Sequence, residues 1–267
     1  MNGTAVAAVR QARVAGHFGE WMQGRIGPDG PVALVTVPCA ALGVTALAEP
    51  GAFGVDGIVP ETAARVFFQT LAQVPALRFR IVADAVPGGG AGVSTAALLA
   101  MAAAAGIPGD MAKAALAAEG AVDPLMLERP GDVLWASRQA RVVEVLGPVP
   151  EVEIAGGFLG APERTEAADL AFPDIADLVA FWRGAVRRED RAALAGLATE
   201  AARRTTALRG PKDDPTEDLA RELGALGWLR AHTGSARGLI FVPGRVPGGI
   251  AARLAEAGLA DPMVFRA

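Results

Sequence analysis

Cysteine, histidine and lysine are all scarce in this 267-residue chain. The single cysteine, Cys39, excludes an intrachain disulfide and any multi-cysteine metal centre. It follows Pro38 in an apolar run, the setting of a buried, inert thiol. The two histidines, His17 and His232, lie far apart in sequence, so a zinc site built on the pair is disfavoured. Lys113 and Lys212 are the only lysines, and arginine supplies the remaining positive charge, a pattern of coding bias more than of function. No run of about 18 apolar, uncharged residues occurs; the stretch 94–107 comes nearest and is too short to span a bilayer. Residues 1–15 include Arg10 and Arg13 but lack the apolar core of a secretory signal, so a cytoplasmic protein away from membranes is expected.

What is present is apolar and only weakly charged. Hydrophobic residues make up 52 % of the chain, enough for one large core or two modest ones. Twenty-five basic residues face 29 acidic ones, for a net charge of −4, which speaks against a nucleic-acid face. Arginines do gather at Arg183, Arg187, Arg188, Arg191, Arg203, Arg204 and Arg209. Glu189, Asp190 and Glu200 interrupt them, which reads as a solvated helical face.

The order of elements points to α+β rather than a doubly wound α/β fold. Strands are expected at 5–14, 31–37, 42–48 and 77–86, with a glycine-punctuated hairpin region at 16–30. Helices are expected at 60–72, 95–105 and 109–119, and a hairpin at 133–146. Gly147-Pro148-Val149-Pro150 is the strongest boundary signal and divides the chain into 1–148 and 149–267. Beyond it come a strand at 152–159, a polar connection at 160–173, and helices at 174–187, 189–208 and 215–228. Strands at 229–233 and 237–242, a helix at 247–258 and a strand at 263–266 complete the pattern. The segment Arg209 to Pro215 reads as mobile.

The most informative segment is Pro87-Gly88-Gly89-Gly90-Ala91-Gly92-Val93-Ser94-Thr95-Ala96, between a strand-like run and an Ala/Leu-rich helix. Glycines permit positive φ and let backbone N–H groups approach an anion. The helix start adds unpaired N–H groups and a favourable dipole, and Ser94 and Thr95 add hydroxyls. Together they form a cradle suited to polyphosphate. The loop is no P-loop, since no lysine follows its last glycine. Nor is it a dinucleotide fingerprint, since no acid ends a second parallel strand about 20 residues later. Glycine-rich turns also precede helices without binding anything, so the loop alone leaves both readings open.

Two further segments share its character. Ala15-Gly16-His17-Phe18-Gly19-Glu20-Trp21-Met22-Gln23-Gly24 sets an imidazole, an acid and an amide among three glycines. It is either a hairpin with an exposed Glu20 or a seat for a small polar ligand. His232-Thr233-Gly234-Ser235-Ala236-Arg237-Gly238 joins two strand-like runs and, taken alone, is an ordinary hairpin loop.

In their order along the chain the three segments resemble the motifs of the GHMP kinases, the galacto-, homoserine, mevalonate and phosphomevalonate kinases. The central loop is similar to the family's Pro-x-x-x-Gly-Leu-Gly-Ser-Ser-Ala; Gly90, Gly92 and Ser94 match, Val93 replaces the first Ser and Thr95 the Ala. Within the family, Gly19-Glu20-Trp21-Met22-Gln23-Gly24, followed by Leu34-Val35-Thr36-Val37-Pro38, resembles the L-threonine kinase group of cobalamin synthesis and propanediol utilisation. His232-Thr233-Gly234-Ser235 is similar to that group's His-Ser-Gly-Ser. Its Glu-Pro-Thr-Asp is matched by Glu119 and Asp123 with one extra residue between the acids. The group often has a lysine where Gly89 stands, and His17 and Phe18 replace its Thr/Ser and Cys.

The resemblance implies a two-lobed GHMP-kinase-like fold with mixed and antiparallel sheets and a ferredoxin-like C-terminal lobe. It implies ATP and Mg²⁺ as cofactors and a small-molecule acceptor, and is silent on oligomeric state. ATP would lie on Pro87, Gly88, Gly89, Gly90, Ala91, Gly92, Val93, Ser94 and Thr95. Ser94 and Glu119 would hold Mg²⁺, and Asp123 would orient or deprotonate the attacking hydroxyl. Glu20 and Gln23 would meet an acceptor's ammonium and His232, Ser235 or Arg237 its carboxylate, with His17 and Gly234 also at the substrate site. Asp123 reads equally well as a turn acid before Pro124, and Arg237 equally well as a surface residue. Phosphorylation of L-threonine to O-phospho-L-threonine leads the possibilities. Kinase action on another small alcohol, a nucleotide-binding homologue without transfer, and an unrelated enzyme stand beside it.

Overall fold

Two long strands open the fold. A computed structural model describes residues 10–163 and 166–267. Strand β1 spans Arg10–Arg25 and β2 spans Val32–Pro50; they pair antiparallel along nearly their whole length. The expected hairpin at 16–30 and the split between 31–37 and 42–48 are therefore corrected. The glycines of β1 sit at register shifts, between Ala15 and Gly16 and around His17 to Met22, so they bend one strand instead of ending it. Gly19, at φ +61°, supplies the left-handed residue that such a bulge needs. Residues 5–9 of the expected first strand lie outside the described residues.

Next come β3 (Gly54–Asp56), α1 (Glu61–Thr70), β4 (Leu77–Ala83), α2 (Val93–Ala105) and α3 (Met111–Glu119). The hairpin β5 (Val133–Ala136) and β6 (Arg141–Val145) stands where the sequence places it. Helix α1 turns Ala64, Phe67 and Phe68 inward, and Phe68 stacks on Phe79 of β4. Helix α2 is apolar on every side and almost wholly buried against β1 and β2, as a central helix must be. Asp110 caps α3 through the Lys113 N–H at 3.0 Å, and Gly120 ends it at φ +73°.

The second half runs β7 (Glu153–Leu159), α4 (Ala176–Arg187), α5 (Arg191–Arg209), α6 (Thr216–Glu222), β8 (Gly227–Arg230), β9 (Ala236–Phe241), α7 (Ile250–Glu256) and β10 (Leu259–Arg266). Its strands lie in the order β10-β7-β9-β8, all antiparallel, which is the β-α-β-β-α-β ferredoxin-like arrangement with α4 to α6 filling the first helical slot. The sheet continues from β8 to β1, β2, β4 and β3, crossing between the halves at the pair Glu20 and Arg230. Only β3 and β4 are parallel among the described pairs, so the sheet is mixed.

Two expectations shift here. The helix expected to reach residue 228 ends at Glu222, because Gly224 takes φ +68° and the buried Trp228 and Leu229 belong to the sheet. The stretch 209–215 is tied down: Asp214 accepts from Arg237 Nε at 2.6 Å, with side chains only 3 % and 2 % exposed. The arginine face of α4 and α5 is solvated as expected and laced with ion pairs, such as Arg183 with Glu144 and Arg204 with Asp177. Arg209 departs from it and turns inward onto His232 and Asp169. Cys39 is fully buried.

Candidate active site

A cavity of about 320 Å³ opens where β1, the glycine loop, the end of α3 and the turn after β8 meet. Gly88, Gly90 and Gly92 hold φ of +87°, +85° and +65°, backbone that glycine adopts without steric cost. The loop is pressed against the turn after β8. A Cβ on Gly90 would stand 2.4 Å from the Ala231 Cβ, and one on Gly234 would stand 2.4 Å from the Gly90 nitrogen. The carbonyls of Gly88, Gly89, Gly90 and Ala91 accept from the backbone N–H groups of Glu163, Ala236, Gly19 and His17. These oxygens are engaged by the protein, so they do not confront an anion with bare negative charge. Helix α2 then starts at Gly92 with no capping side chain and no acid in its first turn. Its leading N–H groups and dipole favour negative charge at the mouth of the cavity.

Facing this cradle is a cluster of acids organised by one hydroxyl. Thr95, buried in the first turn of α2, donates to Glu119 Oε2 at 3.0 Å and accepts from the Asp123 N–H at 3.4 Å. One side chain thereby positions both acids. His17 brings Nε2 to 3.3 Å from Asp123 Oδ2, while its Nδ1–H donates to the Gly19 carbonyl at 3.2 Å. Burial opposes the imidazolium, but Asp123 and then Glu20 outweigh it, and the His17 pKa lies above its usual value. Glu20 accepts from the His232 N–H at 3.2 Å. Burial, against the pull of His17 and with a further push from Asp123, raises the Glu20 carboxyl to about 7. His17 and Glu20 are thus coupled: the charge of each favours the charged form of the other.

The donor set suits a hard cation that keeps water and phosphate oxygens in its shell. Glu119, Asp123 and Ser94 all offer oxygen at the cavity. Among the described residues no group of three or more His, Cys, Asp or Glu side chains is arranged to hold a metal. Mg²⁺ needs only one or two protein carboxylates beside phosphate, so these residues fit it.

No family model matches the sequence, and no curated protein matches it either. Solved structures do. Mevalonate kinase from methicillin-resistant Staphylococcus aureus superposes with a TM-score of 0.63 at 16 % identity, over 96 % of this chain and 98 % of that one. Homoserine kinase from Cytophaga hutchinsonii gives 0.60 at 14 %, over 100 % and 96 %. Phosphomevalonate kinase from Streptococcus pneumoniae gives 0.61 at 12 %, over 98 % and 99 %. The chain has the GHMP kinase fold.

On this GHMP kinase fold, the residues singled out in the sequence divide between two places. Pro87, Gly88, Gly90, Ala91, Gly92, Val93, Ser94, Thr95, Glu119, Asp123, His17, Glu20, Gln23, His232 and Gly234 all line the cavity. Gly89 does not; it packs on Phe158, where a Cβ would come within 3.1 Å of the ring. Ser235 and Arg237 line a second cavity behind the turn, so their expected meeting with a ligand in the main cleft is corrected. The Arg237 guanidinium is engaged by Asp214 and by the carbonyls of Gly234 and Ala236. The His232 ring stacks on Phe172, with centroids 4.0 Å apart, and its Nε2 accepts from Arg209 at 2.8 Å. Burial and then the Arg209 charge lower its pKa to about 3, so it is neutral and offers a carboxylate no charge.

Other features of the cleft escaped the sequence reading. Ile58, Val59, Pro60 and Ala63 make an apolar flank, and Ser137 enters from the β5–β6 turn. No local pattern distinguishes these from ordinary core and turn residues. The coupling of His17 to Asp123 was equally hidden, because it joins residues a hundred positions apart. The described residues lining the cleft include the acids Glu20, Glu119, Asp123 and Glu163 and no lysine or arginine.

Proposed function

We propose that this protein is an ATP-dependent phosphotransferase whose acceptor is the hydroxyl of a small, amine-bearing alcohol. L-threonine is the first acceptor to test and O-phospho-L-threonine the corresponding product. One observation carries the reading: Asp123, partly exposed and paired with the buried His17, stands across a cavity from an uncapped helix start and its glycine loop.

The residues of 1–148 supply the cradle and the acids, and those of 149–267 supply the turn that closes on the loop. Backbone N–H groups of Gly88 and of Gly90 to Thr95 bind the polyphosphate, and the engaged carbonyls hold the loop in shape. Glu119 and Ser94 would hold Mg²⁺, which neutralises phosphate charge when bound. Asp123 accepts the proton of the acceptor hydroxyl as its oxygen bonds to the γ-phosphorus and the bond to ADP breaks. His17 supports this by orienting the Asp123 carboxylate from 3.3 Å. Glu20 and Gln23 bind the ammonium, which draws Glu20 into its charged form.

The neutral His232 and the engagement of Arg237 by Asp214 favour a second reading, an amino alcohol without a carboxylate. The test for both is ADP release with Mg·ATP against L-threonine, L-serine, homoserine, ethanolamine and aminopropanol, with phosphorus NMR of the product. Turnover on L-threonine supports the first acceptor, and turnover on aminopropanol alone supports the second. ATP binding with no turnover on any acceptor leaves a nucleotide-binding homologue without transfer.

A further inference from the structure

A second cavity, of about 610 Å³, lies behind the turn after β8 and is unused by the mechanism above. Three arginines line it: Arg209, Arg230 and Arg237. Their charges are not equally compensated. Arg209 is paired with Asp169 and Arg237 with Asp214. Arg230 donates only to neutral oxygens: the Ala231 carbonyl at 3.0 Å, Thr206 Oγ1 at 2.8 Å and the Gly210 carbonyl at 2.7 Å. It is 6 % exposed, so one buried cation is solvated by dipoles and, among the described residues, matched by no carboxylate in hydrogen-bond contact.

Two donors beside it are unused. Ser235 Oγ is buried without a hydrogen-bond partner, and so is His232 Nδ1. His232 Nε2 meets both the Arg209 Nε–H, at 2.8 Å, and the Ala171 carbonyl, at 3.2 Å; an arginine can only donate, so the shorter contact leaves Nε2 to accept and puts the proton of the neutral ring on Nδ1. Ser235 and His232 line this cavity with Arg230. Glu163 and Asp213 also line it, but both are exposed, where water screens their charge. A buried floor of one guanidinium that Asp214 and Glu20 act on only from beyond hydrogen-bond distance, one hydroxyl and one imidazole N–H is complementary to a single oxyanion.

We propose that this cavity binds a carboxylate or phosphate group of a small molecule, at a site separate from the phosphoryl-transfer cleft and occupied together with nucleotide. The wall between them is the turn Thr233-Gly234, whose glycine packs on Gly90 of the nucleotide loop, so the two sites share one piece of backbone.

The test is thermal melting in a sulfate-free buffer with inorganic phosphate and, separately, acetate. Each is run alone and again with saturating Mg²⁺ and β,γ-imido-ATP. A ligand at 100 times its dissociation constant stabilises by about 2.7 kcal/mol, so the shift is readable even for weak binding. One oxyanion should raise Tm by the same increment with and without the nucleotide analogue. Ser235→Ala and Arg230→Lys, which keep volume or charge, should lose most of that increment while melting near wild type without anion; Arg230→Gln should abolish it. Loss of the increment when the nucleotide analogue is present places the anion in the glycine loop and overturns the proposal, as does an increment unchanged in Arg230→Gln and Ser235→Ala. No anion response in wild-type protein overturns it too. None of these readouts depends on turnover, so their failure is distinct from failure of the kinase reading.

Discussion

Glu20→Gln isolates the buried carboxylate. The folded protein holds the Glu20 proton up to about 7, whereas an ordinary glutamate releases it near 4.5. Between those values the unfolded chain has ionised and the folded chain has not. The folded state therefore binds more protons, and stability falls as pH rises through this window. The span, at about 1.4 kcal/mol per pH unit, amounts to roughly 3 kcal/mol. Glutamine keeps a carbonyl to accept from the His232 N–H and does not titrate. At pH 4.5 the variant should match wild type within about 0.5 kcal/mol. At pH 8 it should be more stable by roughly 2–3 kcal/mol, the lower figure allowing for the support His17 loses. In a chain of this size that is about 5–10 °C in Tm. Melting curves of both proteins from pH 4.5 to 8 check this, and a difference that does not change with pH refutes the argument. The same variant should raise KM for an amine-bearing acceptor about 10- to 100-fold and leave KM for ATP unchanged.

Asp123→Asn should lower kcat about 10²- to 10⁴-fold with ATP affinity retained. It should also bring the His17 titration, followed by NMR of the ring, down in pH, because the charge that holds its proton is gone. Thr95→Val preserves shape but strips the bridge between the acids; a cost of about 1–3 kcal/mol in denaturant melts and a higher Mg²⁺ requirement for turnover are expected. Gly90→Ala must accommodate φ +85° and a Cβ 2.4 Å from that of Ala231, so it should cost roughly 2–4 kcal/mol and weaken ATP binding in calorimetry.

Much of the fold was legible because its periodic signals are local. Ala64, Phe67 and Phe68 mark α1 by helical spacing. The β5–β6 hairpin and the α+β order were equally readable. The glycines of β1 were misread because a bulge and a turn call for the same residue. The difference lies in whether a partner strand continues on both sides, as β2 does here. The helix misplaced onto Trp228 failed similarly, since burial in a sheet overrides helical composition.

The sequence by itself determined the glycine loop, the helix it precedes and the short list of acids and amides that could serve a phosphate-handling cleft. These follow from steric freedom, caps and composition, which act over a few residues. Tertiary structure alone decided how those groups are used. It set His17 against Asp123, raised Glu20 by burying it, spent Arg237 on Asp214 and made His232 neutral beside Arg209. Desolvation and charge pairing depend on which distant segments the fold brings within a few ångströms, and no local pattern in the chain encodes that.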